Sequence, residues 1–232
     1  MLLFTLILLM LVLASSCVVT EQLSFTGSTN NSSKFDFTVE DFFIAVLEDF
    51  SEFVPEDQET SLMDKAITDF DRALRYSTTT NNVNIHKLSG NAYEGQFNFM
   101  DLDKLFADLG AGNDQSLLKQ TNNTLTFNLS MDNYDQLVPV IPFLADENFE
   151  AFGPVYNQGL SESDYLEMIS FMLGEEGPPA IEKSTITLRI ATPKPITSFT
   201  NGKKVATSIY EFSFPLIDFL LLAEPITFAV SW

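Results

Sequence analysis

Three kinds of side chain in this sequence are equipped for chemistry: one thiol at Cys17, one imidazole at His86 and 32 carboxylates. A lone cysteine has no disulfide partner and no second thiolate with which to hold a metal. His86 could act as a general base, but no second histidine, free cysteine or nucleophile-elbow serine lies near it, so it reads as an ordinary strand residue. Paired carboxylates can hydrolyse glycosidic bonds when set at a defined distance in space. With acids this abundant, sequence spacing cannot select such a pair. Calcium would need a D-x-D-x-D-G loop, and none is present. Gly110 to Asp114 (GAGND) lacks the lysine of a phosphate-binding loop and follows a predicted helix, so it reads as a turn. The expected catalytic set, metal set and cofactor are therefore none.

Position gives Cys17 its meaning. Met1 to Ser16 (MLLFTLILLMLVLASS) is uncharged and apolar and ends in small residues, the pattern of a secretory signal. Leu13-Ala14-Ser15-Ser16-Cys17 resembles a bacterial lipobox, whose cysteine sulfur receives diacylglycerol and whose amine is then freed and acylated, typically with palmitate. The usual motif has leucine three residues before the cysteine. Here Ala14 holds that place and Leu13 lies one further out, as in looser, spirochaete-like lipoboxes. Two other readings stay open. Ala14-x-Ser16 also fits ordinary signal-peptidase cleavage, and the apolar stretch reaches Val19, close to the roughly 20 residues of an uncleaved membrane anchor. The lipoprotein reading leads, because the one cysteine falls where acylation needs it. No Lys or Arg precedes Lys34, so the basic start of a signal is missing and an upstream start codon would have to supply it.

The remaining composition bounds the exported part. In 232 residues, 45% are hydrophobic and 22 are Phe, enough for one sizeable core. The net charge of −20 lies wholly after residue 16, so nucleic acid and anionic lipid surfaces would repel the domain. Membrane attachment is then expected through the lipid on Cys17 and not through the folded surface. The expected location is outside the cytoplasm, anchored to the cell membrane or outer membrane, with the domain in the periplasm or at the surface.

Along the chain, Val18 to Lys34 (VVTEQLSFTGSTNNSSK) is polar and aperiodic and reads as a flexible tether. The expected division is a signal over 1–16, a lipidated tether over 17–34 and a single domain over 35–232. Val39 to Val54 carries Phe42, Phe43, Val46, Leu47, Phe50 and Phe53 at helical spacing, and a second helix runs from about Leu62 to Tyr76. From Ser77 the period becomes two. Asn82–Leu88 and Ala92–Met100 form a predicted hairpin, Asp101–Leu109 a short helix, and Thr124–Met131 a strand. Residues 132–177 form an acidic helical insertion, read either as a cap over the sheet or as a lid. Ile181–Ala191, Val205–Phe214 and Ile226–Trp232 read as strands, with an Asn201-Gly202 turn and a short apolar helix from Pro215 to Ala223.

The proline break, Ile196-x-x-x-x-Asn201-Gly202, the aromatic strand, Phe214-Pro215-Leu216 and a closing strand ending at Trp232 resemble the end of LppM-type bacterial envelope domains. Tyr93 to Leu109 is loosely similar to an earlier part of that pattern. The resemblance implies a curved sheet packed by helices, in a class associated with lipid binding at the envelope. Departures are the insertion after Met131 and the N-terminal lipid in place of a C-terminal membrane helix. The expected fold class is α+β: a mostly antiparallel curved sheet of about six strands with helices on one face and a helical insertion. The leading functional expectation is a non-enzymatic envelope lipoprotein that binds a lipid or other apolar ligand between sheet and helices. The second is a surface interaction module or adhesin with a solid core, its protein partner unknown. A hydrolase is the third.

Overall fold

A computed structural model describes residues 18–27, 30–44 and 61–232. Cys17, the lipobox residues Leu13 to Ser16 and the expected signal lie outside the described residues. So does most of the first predicted helix, of which residues 41–44 are seen as helical.

The chain is α+β, but its strands form two sheets instead of one sheet of about six strands. The large sheet contains β1 (Val18–Ser24), β2 (Asn31–Thr38), β3 (Thr80–Ser89), β4 (Ala92–Phe99), β7 (Thr185–Ala191), β9 (Lys203–Ala206) and β10 (Ile209–Pro215), in the order β3-β4-β2-β1-β7-β10-β9. The small sheet contains β5 (Leu118–Thr121), β6 (Thr124–Leu129), β8 (Ser198–Thr200) and β11 (Ile226–Ser231), in the order β5-β6-β11-β8. Within the large sheet β1 runs parallel to β7, and its other pairings are antiparallel.

The flexible tether expected over 17–34 is overturned. Residues 18–24 are a central strand, paired with β2 from Val18↔Thr38 to Ser24↔Ser32 and with β7 from Val18↔Thr185 to Ser24↔Ala191. The ladder continues one residue further, where Phe25 N donates to Ala191 O at 2.8 Å. Polar composition misled because one face of this strand is solvated: Thr20, Gln22 and Ser24 alternate with Val19, Glu21 and Leu23.

That alternation carries across the large sheet. Leu23, Ser33, Phe35, Tyr93, Phe97, Phe99, Ile190, Tyr210, Phe212 and Phe214 are buried on one face. The other face presents Lys34, Asp36, Glu94, Gln96, Arg189 and Ser213. The small sheet packs on the β10 side through Phe228, whose ring lies 5.3 Å from those of both Tyr210 and Phe212.

Helix α1 (Leu62–Tyr76) starts where Ser61 Oγ accepts from Asp64 N at 3.2 Å and reaches the large sheet through Phe70, 5.8 Å from the Phe35 ring. Helix α2 (Leu102–Asp108) follows β4, and its Asp108 accepts from Ser77 Oγ at 2.8 Å, fastening the end of α1. The insertion holds α3 (Tyr134–Leu137), a 3-10 turn (Pro142–Ala145), α4 (Glu147–Glu150), α5 (Pro154–Asn157) and α6 (Glu162–Leu173). It is built into the core. Buried Asn157 donates to Phe152 O at 2.8 Å and to Leu220 O at 3.0 Å in α8 (Leu216–Leu221).

Two further boundaries differ from expectation. Ile181 to Lys183 end a helix, α7 (Gly177–Lys183), and do not begin a strand. The predicted strand Val205–Phe214 is two strands, β9 and β10, broken at residues 207–208. Asn201 and Gly202 both take positive φ, 55° and 62°, as an Asn-Gly turn requires, yet the strands they join belong to different sheets.

Candidate functional site

The residue that stands out is Glu21, which the tether reading passed over. It occupies the apolar phase of β1, between Val19 and Leu23, and faces Phe35 on one side and Leu188 on the other. Ser33 Oγ donates to its Oε1 at 2.7 Å. Among the described residues no partner is seen for the second oxygen, Oε2. Burial raises the carboxyl from 4.5 to about 7; the Ser33 hydrogen bond opposes this, and the negative charge of Asp36 adds to it. An acid is expensive on an apolar face unless it is neutral or paired.

The surroundings of Glu21 are a trough. Its floor is β1 and β7, contributing Val19, Glu21, Ile186 and Leu188. One wall is aromatic, with Phe35 and Phe37 6.3 Å apart and Phe37 stacked 5.2 Å from Tyr93. Phe212 and Phe214, 5.6 Å apart on β10, form the other wall. Gly95 sets the width. A Cβ there would lie 2.6 Å from Phe35 Cε1 and 2.9 Å from Cε2, because the ring lies over the glycine. The ring therefore leans toward β4 and away from Glu21.

Burial along the trough is graded. At the Val18 end, Val19, Phe37 and Ile186 remain partly exposed, as do Glu21 and Leu188 in the middle. At the far end Leu23, Ser33, Phe97, Ile190 and Tyr210 are buried. Along its floor, burial thus decreases from Leu23 and Ile190 toward Val19 and Ile186 at the Val18 end.

Other candidates are placed elsewhere. His86 pairs with Glu94 at 2.8 Å on the polar face of the sheet, with no nucleophile beside it among the described residues. Glu211 is held below the usual carboxylate range by Lys203 and Arg189, which contact it at 2.8 and 2.7 Å on that same face. Asp64 is likewise lowered, by hydrogen bonds from Lys87 and from Tyr93 Oη at 2.7 Å, which tie α1 to the sheet. No group of three or more metal-ligating side chains occurs among the described residues. A separate cleft of about 580 Å³ opens at the loop end, lined by Asn31, Gln120, Asn122, Asn123, Lys194 and Trp232 among others. Its lining is mostly polar, unlike the apolar cavity between sheet and helices that a lipid site calls for.

No family model matches the chain, and no curated protein matches it. Among solved structures it is similar to the folded domain of LppM from Mycobacterium tuberculosis, determined by NMR. Identity is 10%, the match covers 92% of this chain and 87% of that one, and the TM-score is 0.40. A likeness at that level carries no argument about function. No helix among the described residues is long and apolar enough to cross a membrane.

Proposed function

We propose that this chain is a non-enzymatic envelope lipoprotein, acylated at Cys17, whose domain holds a lipid or other apolar ligand in the trough between the large sheet and its helices. The observation that carries the reading is the partial exposure of Val19, Phe37, Ile186 and Leu188 on interior strands. Apolar side chains in the middle of a sheet are ordinarily sealed by the layer above, so partly exposed ones leave apolar surface for a ligand to cover. Each methylene buried there contributes about 0.8 kcal/mol, enough for a medium acyl chain to bind firmly. The direction of this gradient supports the same reading. An acylated Cys17 would bring the Val18 end of the sheet to the bilayer and turn the less buried end of the trough toward its ligand source.

The test uses the protein secreted with Cys17→Ser behind an ordinary cleavable signal, which removes both the acylation site and the apolar leader. Solvent extraction and mass spectrometry should release an amphiphile near one per chain, and a dansylated undecanoyl glycerol ester should bind with a fluorescence increase. A lipid-free protein that also leaves this probe in solution would refute the reading. Acylation is checked separately, by loss of palmitate labelling and of membrane association in the same variant.

A further inference from the structure

We infer that Glu21 and Ser33 form the head-group subsite of the trough, and that its ligand is an amphiphile whose head donates hydrogen bonds, a hydroxyl or an amine and not a carboxylate or phosphate. This rests on the trough being a ligand site and specifies what enters it.

The argument is one of polar groups on an apolar surface. Across the core face of the large sheet, β2, β4, β7 and β10 offer Phe35, Phe37, Tyr93, Leu188, Ile190, Phe212 and Phe214 around Glu21, and no charged side chain. The charges of neighbouring strands, including Lys34, Asp36 and Arg189, belong to the opposite face. On α1, Asp64 is engaged by Lys87 and Tyr93. Lys87 of β3 shares the core face but is held by Asp64, so among the described residues no cation neutralises Glu21. Ser33 occupies Oε1 at 2.7 Å and fixes the carboxyl in place, leaving Oε2 as an acceptor in a partly open, apolar groove. A donor head satisfies that oxygen, while a second anion would meet it with like charge on an apolar face that screens the repulsion weakly. Val19, Ile186 and Leu188 flank the carboxyl and supply apolar contact for the chain attached to the head.

Three probes with the same tail separate the possibilities: 1-monododecanoylglycerol, dodecylamine and dodecanoate, titrated below their micellar concentrations at pH 8. The glycerol ester, the amine or both should bind at least tenfold tighter than dodecanoate. The tighter of the two identifies a hydroxyl or a cationic head. Glu21→Ala should erase the discrimination, and Ser33→Ala, which leaves the carboxyl unfixed, should reduce it severalfold. Glu21→Gln, which keeps an acceptor and loses the charge, should retain the glycerol ester and weaken the amine. Thermal melts confirm that each variant is folded. Equal binding of all three probes, or unchanged ratios in Glu21→Ala, overturns the head-group assignment while leaving the trough as an apolar site. Failure of all three to bind a protein that also carries no lipid instead defeats the functional reading beneath it.

Discussion

Glu21 also makes a prediction about stability that is independent of any ligand. Its carboxyl is raised from 4.5 to about 7 by burial, so the native state holds a proton that the unfolded chain has already released. Stability from this group is fully present below about pH 4.5 and is lost as pH rises to about 7, amounting to about 3 kcal/mol. Carboxylates held low, such as Asp64, Asp108 and Glu211, act in the opposite sense at acid pH, so the comparison must be made against a variant. Urea unfolding of wild type and Glu21→Gln at pH 4 and pH 8 should show the variant gaining on wild type by about 3 kcal/mol between the two conditions. Parallel pH profiles would mean that Glu21 is solvated and ionised like a surface acid. Sequence offered one clue to this residue. Val19, Glu21, Leu23 and Phe25 alternate with polar neighbours, as do Asn31, Ser33, Phe35 and Phe37, which is a strand period. The Gly27 turn and the Ser and Asn around it outweighed that signal.

Among the elements, β4 owes its fit to Gly95. Phe35 fills the place of the missing side chain, and that lean keeps the ring off Glu21. Gly95→Ala should force Phe35 back across the trough, costing about 1–3 kcal/mol through overpacking and lowering affinity for the glycerol-ester probe severalfold. Differential scanning calorimetry and the same titration would read both effects. A variant with lower stability but unchanged binding would show that Phe35 does not border the ligand space. Helix α1, the β3–β4 hairpin and β6 were legible because each satisfies a single period over enough residues: Met63, Ile67, Phe70 and Leu74 on the helix, and Leu125, Phe127 and Leu129 on the strand. The misses have a common cause. Leu118–Thr121 and Ser198–Thr200 are four and three residues long, too short to show a period, and become strands by pairing, the first with β6 across a tight turn and the second with β11 from far along the chain. Ile181 is β-prone, yet Pro178 and Pro179 at the start of α7 favour a first helical turn, and tertiary packing of Ile181 completes it.

Across the whole molecule, the largest change from the sequence reading concerns where the domain begins. A boundary at residue 35 treats everything before it as a leash, whereas the large sheet places β1 between β2 and β7. Removing it would divide that sheet into β3-β4-β2 and β7-β10-β9, joined through loops and helices alone. It would also remove Leu23 and Phe25 from the core, together with the stacking of Phe25 on Trp232 at 5.9 Å. Neither half is closed on its other edge, so two unpaired inner edges and the Phe-rich face between them would meet solvent. Two chains make the comparison: one starting at Val18, the other at Phe35, each after an initiating methionine. The longer chain should unfold cooperatively and give dispersed amide resonances. The shorter should lose the thermal transition, with collapsed amide dispersion or aggregation. A well-dispersed spectrum from the shorter chain would remove β1 from the fold and Glu21 from the trough with it. The longer chain's success would instead leave at most one residue between the sulfur of Cys17 and the sheet. An acylated protein would then sit directly on the bilayer, with the less buried end of its trough at the surface.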